Sequence, residues 1–159
     1  MWESQSFISR DILCKNGNQV LKDNFQRGWR ESLEQSNKCL FYRNFKQTFC
    51  KEKYISQLPD AYVISFLKFR CCNHNLDIEL GRRTCTPQEL RVCKKCNMSV
   101  IGDEFHFVME CPTYAKLRKK YLPQKFLSPK SVFNFCNLFC GNKTIQLKVS
   151  KFIKFANVV

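Results

Sequence analysis

The stretch from residue 93 to residue 111, CKKCNMSVIGDEFHFVMEC, holds three cysteines and one of the two histidines of the chain. The spacing is Cys93-x2-Cys96-x9-His106-x4-Cys111, and a C-x2-C turn lets two thiolates converge on one ion. The second pair arrives from the next element, with His106 predicted on or just before a first helical turn and Cys111 at its end. Thiolates and imidazole favour zinc over magnesium or calcium, and four such ligands fit tetrahedral zinc. We therefore predict one zinc ion at Cys93, Cys96, His106 and Cys111.

The role of this ion depends on whether a coordination position stays open. Catalytic zinc needs a vacant position or a nearby acid as general base, and Glu104 and Glu110 are candidates by proximity. Zinc deaminases of nucleobases use an H-x-E motif followed by P-C-x-x-C, whereas His106 is followed by Phe107 and Val108. The complete ligand set predicts a structural zinc and a non-enzymatic protein. The alternative is a cluster of four buried, reduced side chains without a metal.

The composition of the chain allows one folded domain, or one domain with loosely attached ends. It has 159 residues, of which 44% are hydrophobic, including fifteen Phe, and this is enough for a packed core. No apolar stretch approaches the roughly 20 residues of a membrane-spanning helix, and the first residues do not read as a secretory signal. We therefore expect an intracellular protein. Eleven cysteines, an odd number, favour free thiols and metal ligation over a disulfide framework.

Positive charge is the strongest compositional bias of the chain. The net charge is +14, and residues 111–159 contain ten Lys or Arg and no acid. Such a segment favours a polyanion such as RNA or DNA, or an anionic surface, although a basic tail can also be solvated and bind nothing specific. The basic residues around the cysteine cluster are the candidate nucleic-acid contacts: Arg82, Arg83, Lys94, Lys95, Lys116, Arg118, Lys119 and Lys120.

Apolar residues recur at helical spacing along most of the chain, so the predicted fold class is mainly α. Helices are predicted over 20–53, 61–80, 113–121, 131–139 and 144–156. Ser36 and Asn37 mark a break in the first helix, and Asp60 and Gly81 are the predicted N-cap and C-cap of the second. A short strand at 91–92 leads into the cysteine cluster. The zinc knuckle is then a short β-hairpin plus a helix, inserted between the helices of the domain.

A second group of metal-ligating residue types lies upstream, at Cys71, Cys72, His74 and Cys85. These residues could form another metal site. However, Cys71 and His74 fall on the predicted core face of the helix over 61–80, and buried cysteine and histidine side chains are common in helix seams. We therefore favour a packed helix seam over a second metal site.

Two longer stretches extend the pattern beyond the ligands: YISQLPDAYVISFLKFRCCNHNLDIELGRR and RVCKKCNMSVIGDEFHFVMECPTYAKLRKKYL. These stretches resemble the zinc-binding region that follows the polymerase domain of non-LTR retrotransposon reverse transcriptases. The matching elements are the LP turn, the run H-x-L-x-I-E-x-G-R, and the motifs R-x-C-x2-C, I-G-D-E-F-H-F and C-P-x-Y-x2-L-R. The resemblance covers roughly residues 51–122. It implies that Cys93, Cys96, His106 and Cys111 are the zinc ligands, and that the chain handles nucleic acid as an appendage of a reverse transcriptase core.

Polymerase chemistry itself is not expected. It needs paired aspartates that hold two metal ions about 4 Å apart, and no Asp-Asp pair occurs in the sequence. The resemblance therefore implies the tail of such a protein without its catalytic domain. A truncated copy, a fragmentary gene model and a domesticated remnant would all have this sequence.

The leading hypothesis is a non-catalytic, zinc-stabilised nucleic-acid-binding module. The alternative is a protein-interaction module, in which the zinc site organises helices that dock on a polymerase domain or another partner. The Phe-rich stretch upstream of the cysteine cluster supports this alternative. Three segments are predicted: an N-terminal helical segment at 1–50, a helix plus C2HC zinc-binding module at 51–122, and a basic C-terminal helical tail at 123–159.

Overall fold

The computed structural model describes residues 10–38 and 40–159, so Cys39 and residues 1–9 of the predicted N-terminal segment lie outside the described residues. The described part of the chain is mainly α, as predicted, with eight α-helices: α1 (Arg10–Gln35), α2 (Tyr42–Phe45), α3 (Tyr54–Gln57), α4 (Asp60–Arg70), α5 (Asp77–Arg83), α6 (Ala115–Tyr121), α7 (Val132–Cys140) and α8 (Lys143–Ala156). None of the helices in these ranges is long and apolar enough to cross a membrane. The chain divides into two compact units between Ser36 and Asn37.

The first unit contains α1, whose 26 residues end at Gln35, so the predicted break at Ser36 and Asn37 is confirmed. The prediction that helix continues to residue 53 is wrong, because α2 ends at Phe45. The next residue, Lys46, is buried, and its ammonium group lies 2.9 Å from the Glu52 carboxylate. This ion pair closes the segment between them into a loop.

The predicted helix over 61–80 is two helices, α4 and α5. Cys72 has a φ of 53°, in the left-handed region, and such a residue interrupts a right-handed helix. Gly81 lies inside α5 and is therefore not its C-cap. It has a packing role instead, since a Cβ atom there would lie 2.5 Å from Cγ of Arg91. Asp60 is the first residue of α4 and not its N-cap.

The core of the second unit is an aromatic cluster between α4, α7 and α8. Phe66 and Phe69 of α4 stack on Phe139 of α7, with ring centroids 5.7 and 5.5 Å apart. Phe107, from the cysteine-rich segment, packs against Phe69 at 5.5 Å and against Phe152 of α8 at 5.0 Å. These rings are at most 2% exposed, so the cysteine-rich segment is anchored directly in the core.

The predicted helices at 131–139 and 144–156 correspond closely to α7 and α8, which begin after the N-caps Ser131 and Asn142. Within the predicted C-terminal segment 123–159, Val149, Phe152 and Ile153 of α8 are fully buried in the core of the second unit. A helix with apolar residues three and four apart buries that face against its neighbours, and here the neighbours include α4, α6 and α7. The predicted division near residue 50 stays a prediction, and the residues on both sides of it belong to the second compact unit.

The predicted β-hairpin is wrong. Within the described residues no strand forms, and the cysteine-rich segment contains only an isolated antiparallel bridge between Val92 and Ile101. The ladder stops after this pair because residues 93–96 turn to bring two thiols together. Ser99, with a φ of 52°, also leaves the extended conformation. The knuckle is therefore a loop closed by one bridge and followed by helical turns.

Candidate metal centre

Two local structures bring the four predicted ligands together. Cys93 follows the isolated bridge directly, and its N–H donates to the Val100 carbonyl at 2.8 Å. His106 begins a π-helical turn, and the N–H of Cys111 donates across this turn to the His106 carbonyl at 2.7 Å. Such a wide turn is rare and often occurs at functional sites. The donor atoms of Cys93, Cys96, His106 and Cys111 all lie within 4.8 Å of one another, as the spacing predicted.

The start of the π-helical turn is fixed by Asp103. Its Oδ1 atom accepts a hydrogen bond from the N–H of His106 at 2.8 Å, which satisfies one of the free N–H groups at a helix start. Burial raises the pKa of the Asp103 carboxyl, although this hydrogen bond opposes the shift. The histidine backbone is therefore held in place independently of any ion.

One donor–donor distance can be compared with the distance expected around a tetrahedral ion. The Sγ atom of Cys96 lies 3.3 Å from Nε2 of His106. Metal–sulfur and metal–nitrogen bonds of about 2.3 and 2.0 Å at a tetrahedral angle place these two atoms about 3.5 Å apart. Burial raises the pKa of the Cys93 thiol to about 11, so a metal ion must displace a proton there to bind the thiolate. The cluster could hold one metal ion, with all four donors supplied by the protein.

Glu110 lies on the other side of the histidine ring from the cysteines. Its Oε2 atom is 3.5 Å from Nδ1 of His106, which is close for an ion pair but outside hydrogen-bonding geometry. This Nδ1 atom is buried and has no hydrogen-bond partner among the described residues. Metal-bound histidines usually donate their other ring N–H to a carboxylate or carbonyl. Glu110 is thus placed to orient His106 through Nδ1, while Nε2 of the same ring faces Cys96.

The structure gathers a second group of possible donors that the sequence did not predict as a set. Cys72, His74 and Glu104 are buried, with donor atoms within 4.8 Å of one another. Of the upstream residues considered with them, Cys71 and Cys85 are exposed. Glu104 is 30 residues from His74 in sequence, and no local motif links the two.

Hydrogen bonds account for His74 without an ion. Its Nε2 atom lies 2.9 Å from Glu104 Oε1, and its Nδ1 atom accepts from the Leu76 N–H at 3.4 Å. Both ring nitrogens are engaged, so the neutral imidazole with its proton on Nε2 satisfies every polar atom of the ring. The pair ties the segment between α4 and α5 to the start of the π-helical turn.

The basic residues predicted to contact nucleic acid have different environments. Lys94, Lys95, Lys116, Lys119 and Lys120 are exposed. The two arginines of α5 are engaged locally. Arg82 donates to the Glu79 carboxylate at 2.7 Å, and Arg83 donates to the His74 carbonyl at 3.3 Å.

Arg118, also predicted to contact nucleic acid, is buried and has a structural role. Its guanidinium donates to the Val108 carbonyl at 2.9 Å, the Phe107 carbonyl at 3.3 Å and the Cys111 carbonyl. These carbonyls belong to the π-helical turn and the residue after it, so Arg118 connects α6 to the segment that carries His106 and Cys111. The sequence carried a signal for this role, since Arg118 lies four residues after Tyr114, a buried aromatic residue of the same helical segment.

The knuckle is in contact with the helical segment that carries the lysines of α6. The Thr113 hydroxyl donates to the Lys95 carbonyl, which brings the start of the helical segment 112–121 against the turn at 93–96. Lys116 and Lys120 lie three and seven residues after Thr113, on the same helical face. We call the exposed side chains of Lys94, Lys95, Lys116 and Lys120 the knuckle basic surface.

No protein-family model matches this chain, and neither the curated proteins nor the solved structures contain a match. The resemblance to the zinc-binding region of non-LTR retrotransposon reverse transcriptases therefore stays a hypothesis that rests on the sequence motifs. The metal-binding geometry does not depend on it, because the four donors are brought together by the fold itself.

Proposed function

We propose that this protein is a non-catalytic, zinc-stabilised module that binds nucleic acid. The observation that carries the proposal is the knuckle basic surface, whose two halves are joined by the hydrogen bond from Thr113 to Lys95. The four candidate metal ligands include Cys93 and Cys96, on either side of these two lysines. A bound ion would therefore hold the turn that carries Lys94 and Lys95. The module resembles the tail of a retrotransposon reverse transcriptase, and we propose that it descends from one.

Zinc is the ion that the donors favour. Three cysteine sulfurs and one imidazole nitrogen match the soft, four-coordinate sites that structural zinc adopts. With all four positions filled by the protein, the ion has no place for a reactive water. The proposed zinc therefore stabilises the fold, and the two nearby glutamates orient or support other side chains.

Nucleic acid is the polyanion that the charge distribution favours. Residues 111–159 contain ten Lys or Arg and no acid, and part of this charge lies on α6 beside the knuckle. Lysines that contact phosphates release bound counterions, so the affinity falls steeply as salt concentration rises. Lys94, Lys95, Lys116 and Lys120 are the proposed phosphate contacts, with Lys119 near them on α6.

The test is a charge reversal with a matched control. The variant Lys94→Glu/Lys95→Glu changes two exposed lysines of the surface, and Lys53→Glu/Lys68→Glu makes the same change of charge elsewhere on the second unit. Affinity for labelled RNA and DNA is measured by fluorescence anisotropy at several salt concentrations. We expect the salt slope of the first variant to fall by about one per lost phosphate contact, and that of the control to stay near the wild-type value. Equal losses in both variants, or an affinity that does not depend on salt, would refute the proposal.

A protein-interaction module is the second candidate, favoured by exposed apolar residues at the start of α7. Val132 and Phe133 are 48% and 74% exposed. A protein complex loses affinity when an exposed apolar side chain at its interface is replaced by a charged one. Co-elution of the zinc-loaded protein with a purified reverse transcriptase core, abolished by Phe133→Asp, would support this candidate. Absence of co-elution in the wild-type protein would dismiss it for that partner.

A further inference from the structure

A cavity of about 490 Å³ lies beside the metal centre. Its walls come from the start of α5, the knuckle, and residues 156–158 at the end of α8. Cys93, His106 and Cys111 also line it, but a single ion occupies no more than the roughly 30 Å³ of one water molecule. The remaining volume falls in the range of pockets that bind small organic groups.

The backbone around this cavity is held by hydrogen bonds and close packing. The N–H of Asn75 donates to the Val158 carbonyl at 2.7 Å, which joins the wall before α5 to the wall after α8. Gly102 lines the cavity where two backbone segments approach closely, because a Cβ atom there would lie 3.0 Å from the Cα atom of Cys93. The cavity is therefore formed by the fold and does not require a side chain to move.

The chemistry of the lining distinguishes its interior from its rim. Asp77 and Asp103 line it, and each uses one carboxylate oxygen to accept a backbone N–H, from Lys94 at 3.0 Å and from His106 at 2.8 Å. Each carboxylate keeps further acceptor capacity, because an ionised carboxylate has about four lone-pair sites. Two carboxyl groups repel an anion but accept hydrogen bonds from neutral N–H groups. A phosphate is thus disfavoured inside, whereas a flat, neutral ring with N–H donors fits.

The cavity also has apolar walls, and two lysines line it. Leu76, Leu80 and the ring of Tyr114 provide apolar surface for the faces of such a ring. Lys94 and Lys95 also line the cavity, and both are exposed on the knuckle basic surface. A ligand with an aromatic N–H-bearing ring and a phosphate fits both parts at once.

We propose that this cavity takes one unstacked nucleobase of a single strand, while the adjacent phosphate lies on Lys94 and Lys95. The proposal rests on the proposed function, since it assigns a ligand to the same surface. It adds a preference for single strands, because a paired base must leave its stack to enter, at a cost of a few kcal/mol. Duplexes are then bound through phosphates alone.

The test fills the cavity without changing its charge. Leu80 lines the cavity and is 40% exposed, so Leu80→Trp places a larger ring there without a buried clash. Leu67→Trp is the matched control, since Leu67 is 38% exposed on α4 and does not line the cavity. Zinc-loaded proteins are titrated with a labelled single strand and with the duplex of the same sequence. We expect wild type and control to prefer the single strand, and Leu80→Trp to lose about tenfold in single-strand affinity with an unchanged salt slope.

The outcomes separate this inference from the proposed function. Equal wild-type affinity for single strand and duplex, with no effect of Leu80→Trp, would overturn the cavity assignment and leave the phosphate-binding surface intact. Failure of the wild-type protein to bind either nucleic acid would overturn both. If the thermal melt shows that Leu80→Trp is unfolded, a second experiment uses the wild-type protein alone. It is titrated with a single strand that contains the fluorescent base 2-aminopurine. Its fluorescence changes on binding if the base enters the cavity, and an unchanged signal refutes the inference.

Discussion

Two clusters of cysteine and histidine lie close together in the second unit, and they differ in how their polar atoms are satisfied. The cluster at Cys93, Cys96, His106 and Cys111 has four donors, with a buried Nδ1 that lacks a hydrogen-bond partner in the described part of the chain. The cluster that contains His74 has three donors, and both nitrogens of its ring are engaged. Both clusters have donor atoms within 4.8 Å, so distance does not separate them.

The two clusters differ in the contact that a metal ion would replace. At His74 a metal ion would have to replace the 2.9 Å contact with Glu104, and the gain in binding would be reduced by that loss. At His106 an ion would complete an arrangement in which Nε2 already faces Cys96 and Nδ1 faces Glu110. We therefore expect one ion per chain, at the four-donor cluster.

The largest effect is expected on removing the ion or one of its ligands. Structural zinc contributes on the order of 10 kcal/mol to folding in small zinc domains. Cys96→Ser, or chelation of the wild-type protein, should abolish the cooperative thermal melt of the second unit and reduce the metal content from one ion per chain to none. Cys85→Ser, at an exposed cysteine outside both clusters, is the control. A melt that survives chelation unchanged would show that the four-donor cluster is not a folding site.

An intermediate effect is expected at the second cluster. His74→Ala removes the partner of Glu104 and leaves its carboxylate buried, so the free energy of unfolding should fall by about 2–3 kcal/mol. His74→Gln keeps an N–H donor and should recover part of this loss. Denaturant titration measures both variants, and metal analysis should find one ion per chain in each. Two ions in the wild-type protein and one in His74→Ala would break the distinction between the clusters.

The smallest effect is expected from the carboxylate beside His106. Glu110→Gln keeps the size of the side chain but removes the charge that favours an N–H on Nδ1, and metal affinity should fall about tenfold. Competition with a chromophoric chelator measures this affinity, with Glu89→Gln, at an exposed residue of the turn Gln88–Leu90, as the control. If the two variants bind the metal equally well, Glu110 does not orient the ligand.

The sequence predicted what depends on local spacing. The four-donor cluster, the break after Gln35 and the extents of α7 and α8 follow from short-range patterns of cysteine, histidine and apolar residues. Long-range contacts decided the features that it missed. The left-handed conformation at Cys72 divides one apolar pattern into two helices, and the pairing of His74 with Glu104 joins residues far apart in sequence.

The knuckle and the N-terminal region show the same limit. The hairpin was predicted from a short strand at 91–92 that leads into the cysteine cluster, whereas the chain makes one bridge before it turns. The helix predicted to reach residue 53 ended early because Lys46 pairs with Glu52, and side-chain pairing across a loop has no helical period. Arg118 was assigned to the surface by its charge, although its position four residues after Tyr114 indicated the buried face.

Arg118 also completes the charge balance of the proposed zinc site. A zinc ion with three thiolates carries one net negative charge, and the guanidinium beside Cys111 offsets it. When the ion leaves and the thiols regain their protons, that buried positive charge loses its counterpart. The unpaired buried charge destabilises α6, which carries both Arg118 and the exposed lysines. Metal loss, by chelation or by thiol oxidation, would therefore disturb the knuckle basic surface as well as unfold the knuckle.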